Sequence, residues 1–177
     1  MKRYVIVGGG VAAVGCIEGI RTVDREGEIT VISAETRPVY CRPLISYYLE
    51  GKTDAARMAY RDDGFYDRMG CRMLYGKRAT RIDREKKQVE LEDGAALPYD
   101  ALCLATGSSP FVPPFEGLDT VKNKFSFLTF DDALALEKAI TRDSRVLIVG
   151  AGLIGLKCAE GLYGRVGSIT VCDLADR

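Results

Sequence analysis

The chain contains no histidine and no tryptophan. It carries no surplus of either charge, because 25 Lys and Arg residues offset 25 Asp and Glu. Without histidine there is no Ser–His or Cys–His nucleophile pair, and most catalytic zinc sites are excluded. Electroneutrality argues against a nucleic-acid or anionic-membrane binder, since either needs a basic excess. No apolar run approaches the ~18 residues of a membrane span, and the apolar stretch that follows Lys2 and Arg3 is too short for a signal segment. The cysteines at 16, 41, 71, 103, 158 and 172 form no CxxC or other short pair, so they fit neither a zinc knuckle nor a neighbouring-dithiol centre. Most lie in apolar runs, where cysteine acts as a small hydrophobe. This usage points to a reducing, cytoplasmic setting.

What is present is a repeat. Arg3–Ile20 (RYVIVGGGVAAVGCIEGI) and Arg145–Leu162 (RVLIVGAGLIGLKCAEGL) align without gaps, with 8 identities in 18 positions. Each copy is a β-branched run, then glycines, then a helical pattern. Such a run reads as a strand buried on both faces, as in a parallel sheet. Each copy leads to a second short strand, Ile29–Ser33 and Ile169–Asp173. The pattern is a β-α-β unit, twice. Between the repeats, residues 72–75, 78–83 and 88–92 read as short strands and Tyr99–Thr106 as a buried one. The segment SSPFVPPFEG holds three of the six prolines and reads as a linker. Thr129–Ile140 has leucines at helical spacing and acidic residues in its first turn. The 177 residues, 47% apolar, suffice for one domain and part of a second. The expected fold is α/β: a Rossmann-like β-α-β domain over 1–107 with inserted short antiparallel strands. A linker and the first β-α-β unit of a second such domain follow over 108–177.

The glycines carry the chemistry. In Gly8-x-Gly10-x-x-Ala13, the first glycine permits the tight strand-to-helix turn. The second lets the backbone approach a pyrophosphate seated on the helix N-terminus, and the small third residue allows helix–strand packing. Gly150-x-Gly152-x-x-Gly155 repeats the pattern with glycine at all three places. Strand, glycine turn, helix and second strand together are the context that gives such a motif weight. A ribose-binding acid is expected past the second strand. Asp173, 23 positions after Gly150, meets that need in the second unit and Glu35 is the nearest acid in the first. Asp173 would repel a 2′-phosphate and no Lys or Arg directly follows it, so NADH is expected over NADPH.

These two fingerprints, together with Tyr40-Cys41-Arg42-Pro43-Leu44-Ile45-Ser46 and Ala105-Thr106-Gly107, resemble the FAD-dependent pyridine-nucleotide oxidoreductases. The branch most resembled holds NADH:rubredoxin reductases and the flavoprotein segment of nitrite reductases. The resemblance implies that the first unit binds FAD and the second NAD(P)H. Gly8, Gly10, Val11, Ala12 and Ala13 would hold the FAD pyrophosphate, Glu35 the adenosine ribose, and Ala79 would offer its backbone to adenine. Arg42 and Pro43 would lie along the flavin side, and Ala105, Thr106 and Gly107 would close the site. Gly150, Gly152, Gly155 and Asp173 would take NADH. Electrons would pass from NADH through FAD to an acceptor that the residues leave open: a redox protein, oxygen, a nitrite-reducing domain or a disulfide.

Three departures from the family pattern bear on function. Cys41 is the only candidate for a redox cysteine, and its alignment sets it off the flavin-facing position. Many relatives carry Lys at the place of Tyr47 and Glu at that of Lys157. The double change suggests Lys157 as a local positive charge for anionic reduced flavin. The family also continues beyond the point reached by Arg177, so the chain reads as truncated, incomplete or one half of a split enzyme. Alone it is expected to bind FAD weakly or not at all and to turn over NADH poorly. The alternative is a non-catalytic nucleotide-binding subunit that needs a partner chain.

Overall fold

The computed structural model describes residues 1–175, which form two compact units. The first unit comprises Met1–Tyr40 and Ala59–Ser108. Its centre is a four-stranded parallel sheet built from β1 (Arg3–Val7), β2 (Glu28–Ser33), β3 (Cys71–Tyr75) and β7 (Ala101–Leu104), in the order β3-β2-β1-β7. The register runs Val5↔Thr30 and Ile6↔Val31 on one side of β1, and Val5↔Leu102 and Ile6↔Cys103 on the other. Cys71–Tyr75, where the sequence marks only 72–75 as one of several short strands, is a full member of this sheet. The antiparallel insert is instead β4 (Ala79–Asp83), β5 (Gln88–Leu91) and β6 (Ala96–Pro98).

Alternation along the strands makes the layers. Ile6, Ile29 and Val31 point to one face, where Ala13, Val14 and Ile17 of α1 (Val11–Val23) meet them with Val39 and Phe65. Val5 and Ile32 point to the other face and pack on Val89 and Leu91 of the antiparallel insert and on Tyr99 just past it. Ile6 and Ile17 are fully buried, each contributing roughly 1.5–3 kcal/mol by removal from water. Arg21 secures the far end of α1 by donating to the carbonyls of Met69, Gly70 and Asp24. The short helix α3 (Phe65–Arg68) precedes β3 and buries Phe65.

The second unit comprises Cys41–Met58 and the chain from Ser109. A single 3-10 turn (Arg42–Leu44) runs into α2 (Ile45–Leu49). Residues 109–117 lack regular structure, as the prolines require. α4 (Phe130–Ala139) begins at a capping box: Thr129 accepts from the Asp132 N–H, and the Asp132 carboxylate accepts from the Thr129 N–H. β8 (Arg145–Val149) and β9 (Ser168–Cys172) pair in parallel, with α5 (Leu153–Leu162) between them in sequence. α5 buries Cys158, Gly161 and Leu162. A Cβ on Gly161 would come within 2.9 Å of the Ser46 carbonyl oxygen, so α5 packs on α2 at a distance only glycine allows. Arg165 ties the unit together, donating to the Leu49 carbonyl and to the Glu137 carboxylate, which also accepts from Tyr48. No helix among the described residues is long and apolar enough to cross a membrane.

Candidate dinucleotide sites

In the first unit the chain leaves β1 and turns at Gly8, whose φ of +118° is a conformation that side chains rarely adopt. A Cβ there would also fall 2.0 Å from the Ala105 carbonyl oxygen. The turn is fixed on both flanks: Gly8 N–H donates to Ile32 O at 2.8 Å and Ala105 N–H donates to Val7 O at 2.8 Å. Ala105 and Thr106 are thereby held against the turn, and Gly107 follows at φ +71°. Gly9 lies against Ser33, where a Cβ would fall 2.5 Å from Oγ. Gly10 differs from both. It begins α1 with φ −87°, and a Cβ there would meet nothing within 4 Å.

The start of α1 has no side-chain cap and no acidic residue in its first turn. Val11 and Ala12 are exposed there, while Ala13 is buried against the sheet. A helix start of this kind offers backbone N–H groups and the positive end of its dipole to an anion. The absence of a Cβ on Gly10 leaves the cradle open. These residues fit a diphosphate.

Glu35 stands just past β2, the strand paired with β1. Its backbone carbonyl accepts from Ser33 Oγ and from the Gly76 N–H, both at 3.1 Å, and its Oε2 accepts from the Tyr40 hydroxyl at 2.7 Å. Ala79 opens β4 in the same unit, facing Leu91 and packed on the Val5 cluster. The register slips between Ala79 and Arg81, a bulge whose Thr80 hydroxyl donates to Glu90 O.

The second unit repeats the turn. Gly150 has φ +109° and its N–H donates to Cys172 O at 2.8 Å. Gly152 begins α5, again without a side-chain cap and with open space where a Cβ would stand. A Cβ on Gly155 would fall 1.9 Å from the Gly150 carbonyl oxygen, so the third glycine serves close packing of helix on turn. Asp173 Oδ2 accepts from the Ala151 N–H at 2.6 Å and Oδ1 from the Ala175 N–H at 2.9 Å. These amides, Ala175 first, hold the carboxyl below its usual range. The acid is thus fastened to the glycine turn as an anion.

The remaining sequence candidates lie in the second unit. Cys41 is half-buried and precedes the 3-10 turn that carries Arg42 and Pro43; its N–H donates to Met58 O. Lys157 Nζ pairs with Glu160 and stands 4.9 Å from the centre of the Tyr47 ring. Glu160, foremost, raises its pKa. Lys52 lies over the same ring at 5.9 Å. In this chain Tyr47 and Lys157 thus meet through a cation–π contact. Sequence reasoning missed two partners. Ser33 appeared only as the last residue of a strand, and Tyr40 only as part of a motif. A tyrosine five residues past a candidate ribose acid is the signal that was there to follow.

A model of the family described as pyridine nucleotide-disulphide oxidoreductase matches residues 2–177. The chain belongs to this family. It is 34% identical over 99% of its length to the NADH-dependent phenylglyoxylate dehydrogenase subunit epsilon of Aromatoleum evansii, covering 41% of that protein. It is 34% identical over 98% of its length to the nitrite reductase [NAD(P)H] of Bacillus subtilis, covering 22%. Among solved structures it resembles a chain of the covalent putidaredoxin reductase–putidaredoxin complex, with a TM-score of 0.88, 33% identity over 99% of this chain and 43% of that one. The α/β fold expected from the repeat is the fold of this family. The chain spans well under half the length of these relatives.

Proposed function

We propose that the protein is the nucleotide-binding part of an FAD-dependent oxidoreductase that takes a hydride from NADH and passes electrons to a separate acceptor. The carrying observation is the duplicated turn: two uncapped helix starts, each with an open glycine at its mouth and an acid after the following strand. The first unit is the FAD-binding domain and the chain from Ser109 opens the NADH-binding one. Within them, Gly8 lets the strand turn and Gly10 leaves room for the diphosphate. The N–H groups at the start of α1 neutralise that diphosphate, and Glu35 accepts from the adenosine ribose. Gly150, Gly152 and Asp173 do the same for NADH. When bound, FAD supplies the hydride-accepting ring and the step between two-electron and one-electron carriers.

The anionic Asp173 disfavours a 2′-phosphate, which supports NADH over NADPH, as does the NADH-dependent relative. The solved complex with putidaredoxin supports a small electron-transfer protein as acceptor. Six unpaired thiols support a reducing, cytoplasmic location. The test is made on the polypeptide purified from its own cells and supplied with FAD, following NADH oxidation with ferricyanide as acceptor. Flavin-dependent oxidation that is faster with NADH than with NADPH is expected. A polypeptide that ignores both FAD and NADH contradicts the reading.

A further inference from the structure

Three hydrogen bonds help to hold Glu35. Ser33 Oγ and the Gly76 N–H fix its carbonyl, and the Tyr40 hydroxyl fixes its carboxylate at 2.7 Å. Tyr40 is only 8% exposed, and its own backbone is anchored by a bridge to Ala59. A buried hydroxyl needs a partner, and here the partner is the charged acid past β2. The Tyr40 bond takes one of the roughly four acceptor positions that a carboxylate offers. Its effect is to select one rotamer from the many a glutamate otherwise samples.

We propose that Tyr40 is the positioning residue of the first nucleotide site: its hydroxyl orients the Glu35 carboxylate to accept from the ribose hydroxyls of an adenine dinucleotide. The inference rests on the reading of the first unit as the FAD site and adds a residue outside the glycine fingerprint. A glutamate has one more rotatable bond than the aspartate of the second unit. Asp173 is oriented by backbone amides, whereas Glu35 recruits a side chain. Tyr40 touches the acid and not the nucleotide, so its removal loosens ribose recognition while leaving the diphosphate cradle intact.

The test titrates the chain with ADP and with 2′-deoxy-ADP, following the backbone amide signals of Gly9–Ala12 by NMR so that the first site is read apart from the second. Wild type is expected to prefer ADP. Tyr40→Phe keeps the ring and its packing; it is expected to stay folded and to reduce that preference about fivefold, within the range of coupling between residues in contact. Tyr40→Phe/Glu35→Gln is expected to be no worse than Glu35→Gln alone, because the two residues act as one device. A Tyr40→Phe variant with undiminished preference, or losses that simply add, overturns the proposal while leaving the flavin reading in place. Absence of any shift at Gly9–Ala12 in wild type overturns the flavin reading itself. A further measurement needs no variant: the Tyr40 ring signals of wild type should move with ADP and stay still with inorganic diphosphate. Equal response to both contradicts the proposal.

Discussion

At the scale of single residues, the two outer glycines of the first turn serve different ends and separate cleanly by experiment. Gly8→Ala forces a Cβ into the Ala105 carbonyl at a positive φ. It should cost about 2 kcal/mol or more of stability, seen as a lowered urea midpoint. Gly10→Ala meets open space at an ordinary φ. Its melting curve should stay close to wild type while FAD binding falls at least tenfold, because the new methyl occupies the diphosphate cradle. The cysteines divide in a similar way. Burial, foremost, pushes the thiols of Cys16, Cys71 and Cys158 to about 11, whereas Cys172 is exposed. Iodoacetamide at pH 8 should label Cys172 well before those three, as peptide mass spectrometry will show. The glycine turns and the acids past the second strands were legible as positions in the sequence because their spacing is local. The Tyr40–Glu35 hydrogen bond and the close approach of Ser33 to Gly9 were not, because only the folded strand ends create them.

Elements show the same division. The helix over 130–139 was legible from leucine spacing and first-turn acids, and its start is a capping box. Burial works to raise the Asp132 pKa. The N–H groups of Thr129 and Leu128 and the hydroxyls of Ser126 and Thr129 outweigh it, so the pKa is lowered. A carboxyl lowered in the folded state stabilises above its unfolded pKa of ~3.9, and that contribution vanishes as pH falls through the lower folded value. Asp132→Ala should therefore cost about 1–2 kcal/mol at pH 7 by denaturant unfolding, with the gap to wild type closing below pH 4. Two strands escaped correct placement. β3 sits at the edge of the parallel sheet, but its neighbourhood of short polar strands gave it an antiparallel appearance. β6 has only three residues and ends at Pro98, too short for any periodicity. The helices over 42–49 are short, and Pro43 in their first turn, a position that favours helix starts, is the one local sign of them.

For the molecule as a whole, the repeat in sequence becomes a repeat in structure. Gly8 and Gly150 share a φ near +110°, and Gly8 N–H and Gly150 N–H each donate to the strand that follows their helix. The second copy is the barer. Leu147 and Val149 on β8 and Leu153, Ile154 and Leu156 on α5 are all more than half exposed. The central claim is that the two turns divide the nucleotides, flavin to the first and nicotinamide to the second. Amide NMR of the polypeptide as purified from its own cells, during separate titrations with FAD and NADH, tests it most directly. The account predicts that FAD moves the signals of Gly8–Ala12 and Glu35, that NADH moves those of Gly150–Leu153, and that Gly10→Ala silences only the first set. FAD leaving Gly8–Ala12 unmoved, or moving them equally in Gly10→Ala, would contradict it.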